Sequence, residues 1–132
     1  MIIRIALLAV VAALGGADRQ TLREKPALTI DVEDFWRALR ADEVAAMHKY
    51  GWKPIEVTGT LDEITWPGAR HPTLWLRLPI EDKAPGFTKN GPAGDELRAA
   101  VGHRVRIWCA YATHLGDVPY LYDCELAAQP SR

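Results

Sequence analysis

Ile55-Glu56-Val57-Thr58-Gly59-Thr60-Leu61-Asp62 decides the fold, because its hydrophobic period is two. Ile55, Val57, Gly59 and Leu61 share one side of an extended chain, and Glu56, Thr58, Thr60 and Asp62 share the other, the pattern of a strand with one wet face. Gly59 inside this run predicts a bulge or sharp bend, which small barrels need at their corners. Trp66-Pro67-Gly68 ends the strand with a turn. Alternation then returns. Thr73 to Pro79 sets Leu74, Leu76 and Leu78 against Trp75 and Arg77. Arg104 to Thr113 puts Val105, Ile107, Cys109 and Tyr111 on one side. Pro119 to Leu126 keeps Tyr120, Tyr122, Cys124 and Leu126 in phase. Glu81 to Gly94 is rich in Gly, Pro and Lys, and reads as a loop holding a short strand near Phe87. Gly116-Asp117 joins the last two strands into a hairpin, across which Cys109 and Cys124 can face each other.

Upstream the period is helical. Asp31 is a good N-cap, followed by Glu33 and Asp34 in the first turn, where negative charge suits the helix dipole. Val32, Phe35, Trp36 and Leu39 fall at i, i+3, i+4 and i+7 and form one apolar stripe. Asp42 caps a second, shorter helix over Glu43 to His48, with Val44, Ala45 and Met47, ended by Gly51. A third, over Glu96 to Val101, lies between Asp95 and Gly102. Two helices, about five strands, and a short helix before the fourth strand give the expected class: mainly β with α, a five-stranded OB-fold barrel with an N-terminal helical extension.

The 132 residues suit one small domain. Met1 to Ala17 reads as an export signal: Arg4, an unbroken apolar run from Ile5 to Leu14, then Gly15-Gly16-Ala17 before Asp18. That run is shorter than the roughly 20 apolar residues a membrane span requires, so no span is expected in the mature chain. The competing reading is a buried N-terminal strand or helix. The expected organisation is a signal over 1–17, a flexible leader over 18–28, the domain over 29–127 and a tail over 128–132. Export makes a Cys109–Cys124 disulfide the expected state, and the expected location is periplasmic or secreted. Sixteen Lys and Arg face seventeen Asp and Glu, a net charge of −1. Nonspecific polyanion binding needs a cationic excess, so nucleic acid is not the expected partner.

Several segments resemble one family. Asp31-Val32-Glu33-Asp34-Phe35 through Ala41-Asp42-Glu43-Val44-Ala45-Ala46, then Lys49-Tyr50, then Ile55-Glu56-Val57-Thr58-Gly59, are similar to the opening of the tRNA_anti-like family of exported OB-fold proteins. Leu97 and Val101-Gly102-His103-Arg104-Val105, with Cys109 and Asp123-Cys124, resemble its closing strands. The resemblance spans roughly Leu28 to Leu126. It implies the OB-fold and a small envelope protein. The chain departs from lipoprotein members in having no Cys at the cleavage site, and its Gly/Pro loop is longer.

Catalytic inventories come up short. The single serine, Ser131, is next to last, so serine nucleophile chemistry has no candidate. Cys109 with His103 or His114 could form a thiol site, but Cys124 competes for the same sulfur. Cys109, His114 and Cys124 match no zinc spacing. The carboxylates Asp31, Glu33 and Asp34, and the pair Glu81 and Asp82, sit where capping and solvation place them. Gly91 to Asp95 lacks the Lys-Ser/Thr ending of a phosphate loop. Neither enzyme activity nor a cofactor or metal is expected. What remains is five tryptophans. Trp75 and Arg77 lie two apart on one strand, and Arg106 and Trp108 repeat the pair on another. An aromatic beside Arg can stack a base or a sugar. With Lys83 and Lys89 they form the candidate ligand surface; the alternative is Trp75 and Trp108 packed beneath the helices with the arginines snorkelling. The sequence thus points to a noncatalytic binding or structural module of the cell envelope, acting on an envelope protein or a small ligand. Single-stranded nucleic acid or oligosaccharide is the alternative ligand.

Overall fold

A computed structural model describes residues 24–67, 71–88 and 94–127. The expected signal, positions 18–23 of the leader, and the tail lie outside these residues. In chain order the elements are β1 (Leu28–Asp31), α1 (Val32–Ala41), α2 (Glu43–Tyr50), β2 (Ile55–Thr65), β3 (Thr73–Arg77), β4 (Lys83–Thr88), α3 (Gly94–Ala100), β5 (Arg104–Leu115) and β6 (Val118–Leu126).

The strands close on themselves. β2 pairs antiparallel with β3, β3 with β4, and β6 with β5. β4 runs parallel to β6, and β5 returns antiparallel to β2. Five strands in this circuit, with a helix between the third and fourth, make an OB-fold-like barrel. β1 is a sixth strand, laid parallel along Ile55 to Thr58 on β2. The interior is filled by Val57, Leu61, Leu74, Leu76, Ile107 and Leu121, none exposed. Burying each such side chain contributes about 1.5–3 kcal/mol.

α1 forms as its stripe predicts, with Val32, Phe35, Trp36 and Leu39 all buried. The Asp31 side chain accepts the Glu33 backbone N–H at 2.9 Å, the N-cap bond. The same carboxylate accepts from the Arg104 guanidinium and from the Thr58 hydroxyl at 3.3 Å, tying the helix start to β5 and β2. Burial alone would raise the Asp31 pKa, but the Arg104 hydrogen bond and charge, the Glu33 N–H and Thr58 outweigh it and hold the carboxyl below its ordinary range.

Four expectations shift. Gly59 is not the bulge: the register of β2 against β3 slips between Leu61 and Glu63, at Asp62. Gly59 is required by packing, since a Cβ there would lie 2.8 Å from Val32 Cγ1 of α1. Gly51 ends α2, but the left-handed residue is Trp52, at φ 61°. α2 buries Ala46 and leaves Val44 80% exposed. Finally, Tyr111 and Tyr122 leave the phase of the cysteines. Asp123 has φ 53°, and on β6 the buried positions fall at Val118, Pro119 and Leu121 before it and at Cys124 after it, while on β5 they pass from Cys109 to Ala112. The two tyrosines are thereby turned to the outside. The Cys109–Cys124 disulfide is present, joining directly opposed residues of the β5–β6 ladder.

Candidate ligand-binding cleft

The outer face of β3 and β4 opens into a cleft of about 660 Å³, lined by Trp75, Glu63 and Lys83 on one side and by Leu115 to Val118 and Tyr120 on the other. Each wall has a local cause. The bulge at Asp62 puts Glu63 directly opposite Trp75, so an acid and an indole share the outer face. Trp75 is half-buried, and its Nε1–H donates to Thr65 Oγ1 at 2.7 Å, which fixes the ring plane. The opposite wall is the tight β5–β6 turn, where Gly116 takes φ 62°. That turn is held from two sides. His114 donates from Nδ1 to the Gly116 carbonyl at 2.7 Å and faces Glu43 of α2 at 3.2 Å. Asp117 meets Arg40 of α1 at 3.7 Å. The helical extension therefore steadies one lip of the cleft.

The candidate residues divide. Trp75, Arg77 and Lys83 come together. Arg77 binds Asp62 through Nε at 3.0 Å, and Lys83 Nζ lies 2.9 Å from Asp62 Oδ2 and 2.8 Å from Glu63 Oε1. Hydrogen bonds from Arg77 and then Lys83 lower the Asp62 pKa, and those to Glu63 and Asp62 raise that of Lys83. Both cations on this face are thus engaged by carboxylates. Arg106 and Trp108 lie elsewhere, on β5 opposite Thr58 and Glu56 of β2. The Trp108 indole donates to Glu56 Oε1 at 3.0 Å, and Glu56, 3% exposed, also lies 3.7 Å from Lys25. Arg106 is likewise engaged by neighbouring groups. Lys89 lies outside the described residues. Among those residues, no three His, Cys, Asp or Glu side chains gather as a metal would need.

One feature escaped the sequence. Trp52, Tyr111, Tyr122 and Phe87 stack in succession at 5.5, 5.1 and 5.0 Å, and Tyr120 adjoins Phe87 at 6.2 Å. This row crosses three barrel strands and reaches the cleft at Tyr120. Its inner rings cover one another's faces, so it stabilises the sheet and leaves its terminal ring, Trp52, with an open face. Tyr120, Tyr122 and Tyr111 were visible as aromatics; the signal that was missing was the phase slip that turns them outward together.

No family model matches the chain, and no curated protein does. Among solved structures it is similar to a protein from Klebsiella pneumoniae subsp. pneumoniae MGH 78578, a nucleic acid-binding lipoprotein by assignment only. The TM-score is 0.54 at 14% identity, over 76% of this chain and 91% of that one. At that identity the likeness carries the fold: an OB-like barrel. No helix among the described residues is long and apolar enough to cross a membrane.

Proposed function

We propose that this chain is a noncatalytic, exported OB-fold module of the cell envelope, of the tRNA_anti-like kind, that holds its ligand in the cleft walled by Trp75. The observation that carries the reading is the position of that cleft. It lies where Trp75 of the second barrel strand and Lys83 of the third, with Glu63 and Thr65 of the first, face the turn between the last two strands, close to the face and loop ends that OB-folds use for oligonucleotides and oligosaccharides, and the Trp75 side chain in it is partly exposed. Export rests on the Met1–Ala17 pattern and agrees with a disulfide inside the barrel. The noncatalytic assignment rests on the residue inventory: the single serine, Ser131, is next to last, and Cys109 and Cys124 are joined to each other. The Klebsiella protein's nucleic-acid assignment is not carried over, because Arg77 and Lys83 are already matched by Asp62 and Glu63.

Trp75→Ala tests the site. Probes are a thymidine oligonucleotide, a chito-oligosaccharide and a lysine-containing peptide, each titrated against wild type and variant. Loss of a stacked aromatic costs about 1–3 kcal/mol, so whichever probe binds should weaken roughly 5- to 150-fold. Trp108→Ala should leave affinity unchanged. Binding that survives Trp75→Ala in a protein with an unaltered melting curve would remove the cleft as the site.

A further inference from the structure

The charge and apolar exposure around the cleft narrow what it can hold; this inference rests on the cleft reading above. Among the described residues, four carboxylates line it, Glu63, Glu81, Asp82 and Asp117, against one cation, Lys83. Lys83 is committed to Asp62 and Glu63, and Asp117 faces Arg40. Glu81 and Asp82 are exposed just before β4, with no partner among the described residues. The apolar side is equally open. Leu115, in the opposite lip, is 67% exposed, and Trp66 and Ile80, each next to a lining residue, are 40% and 37% exposed. Leu115 thus adds a largely exposed apolar side chain to the cleft that Trp75 walls, which marks a contact surface.

We propose that the cleft receives an extended basic and apolar segment of a partner protein. Lysine or arginine of that segment would lie against Glu81 and Asp82, and an apolar side chain against Trp75 and Leu115. The choice follows from complementarity. A phosphate backbone needs uncommitted cations, and here it would meet two unpaired carboxylates. A neutral sugar could stack on Trp75 but would draw nothing from Leu115 beyond it. A lysine or arginine beside an indole gains both the carboxylate charge and the ring's negative face.

The test titrates the full mature protein with a blocked peptide alternating Lys with Leu and Phe, with its Glu-for-Lys counterpart, and with a thymidine oligonucleotide, at low and high salt. The lysine peptide should bind, and salt should weaken it. Glu81→Gln with Asp82→Asn should weaken it about tenfold, the summed effect of two exposed ion pairs, while the melting temperature holds. Equal binding of the glutamate peptide, or full affinity in the double variant, would overturn the basic-segment proposal. A Trp75-dependent oligonucleotide or chito-oligosaccharide titration with no peptide binding would overturn it too, and would leave the cleft reading standing. Binding of any probe that ignores Trp75 would remove both.

Discussion

Truncating Phe35 to alanine is expected to cost the folded protein about 3–5 kcal/mol. The side chain is fully buried on α1, with the Tyr50 ring 5.4 Å away and tilted across it. Removing the ring forfeits its transfer energy and leaves a cavity bounded by two helices and the barrel, and α1 is poorly placed to collapse into it. Its first turn is held by Asp31, Arg104 and Thr58, and at Gly59 the barrel backbone already lies against Val32. Urea unfolding followed by tryptophan fluorescence measures the loss, with Phe35→Leu as the milder control. A cost under about 1 kcal/mol, the range of surface substitutions, would mean that the helical extension is appended to the barrel and not part of its core.

Replacing Cys109 and Cys124 together by alanine should cost about 3 kcal/mol, from a closed loop of 15 residues. The effect acts on the unfolded chain, whose ends of the β5–β6 hairpin are no longer tied. Alanine is the right replacement because both sulfurs are buried, at 0% and 1% exposure, where a serine hydroxyl would lack a partner. The wild-type protein unfolded in reductant should approach the variant. Identical unfolding midpoints with and without reductant would contradict a formed bridge, and would weaken the export argument with it.

Much of the barrel was legible because its information is local. Alternation from Ile55 to Leu61 marks β2, the stripe Val32, Phe35, Trp36 and Leu39 marks the buried face of α1, and the Gly116-Asp117 turn sets the two cysteines opposite each other. What stayed hidden depends on pairings between distant segments. β1 is four residues, two of them polar, and is a strand because β2 offers a free parallel edge. A glycine inside a strand points to a bulge, but Gly59 answers a helix overhead, while the extra residue is Asp62. That one-residue slip also rewrites the site. It brings Glu63 opposite Trp75 and lets Asp62 take both Arg77 and Lys83, so residues that look like a cationic surface in sequence are a neutralised cluster in space. Trp108 and Arg106 repeat the local pattern of Trp75 and Arg77, yet they face Glu56 and Thr58, away from the cleft. Spacing along a strand reports a shared face; it does not report which neighbours the closed barrel supplies.

The most direct test follows the indole N–H resonances of the isotope-labelled mature protein as the lysine peptide is added. Ligand in the cleft predicts that the Trp75 indole moves first, with the amides of Lys83, Leu115 and Tyr120, while Trp36 and Trp108 stay in place. Movement centred on Trp108 and Arg106, or on Trp52, with Trp75 unchanged, would put recognition on a different face and contradict the account.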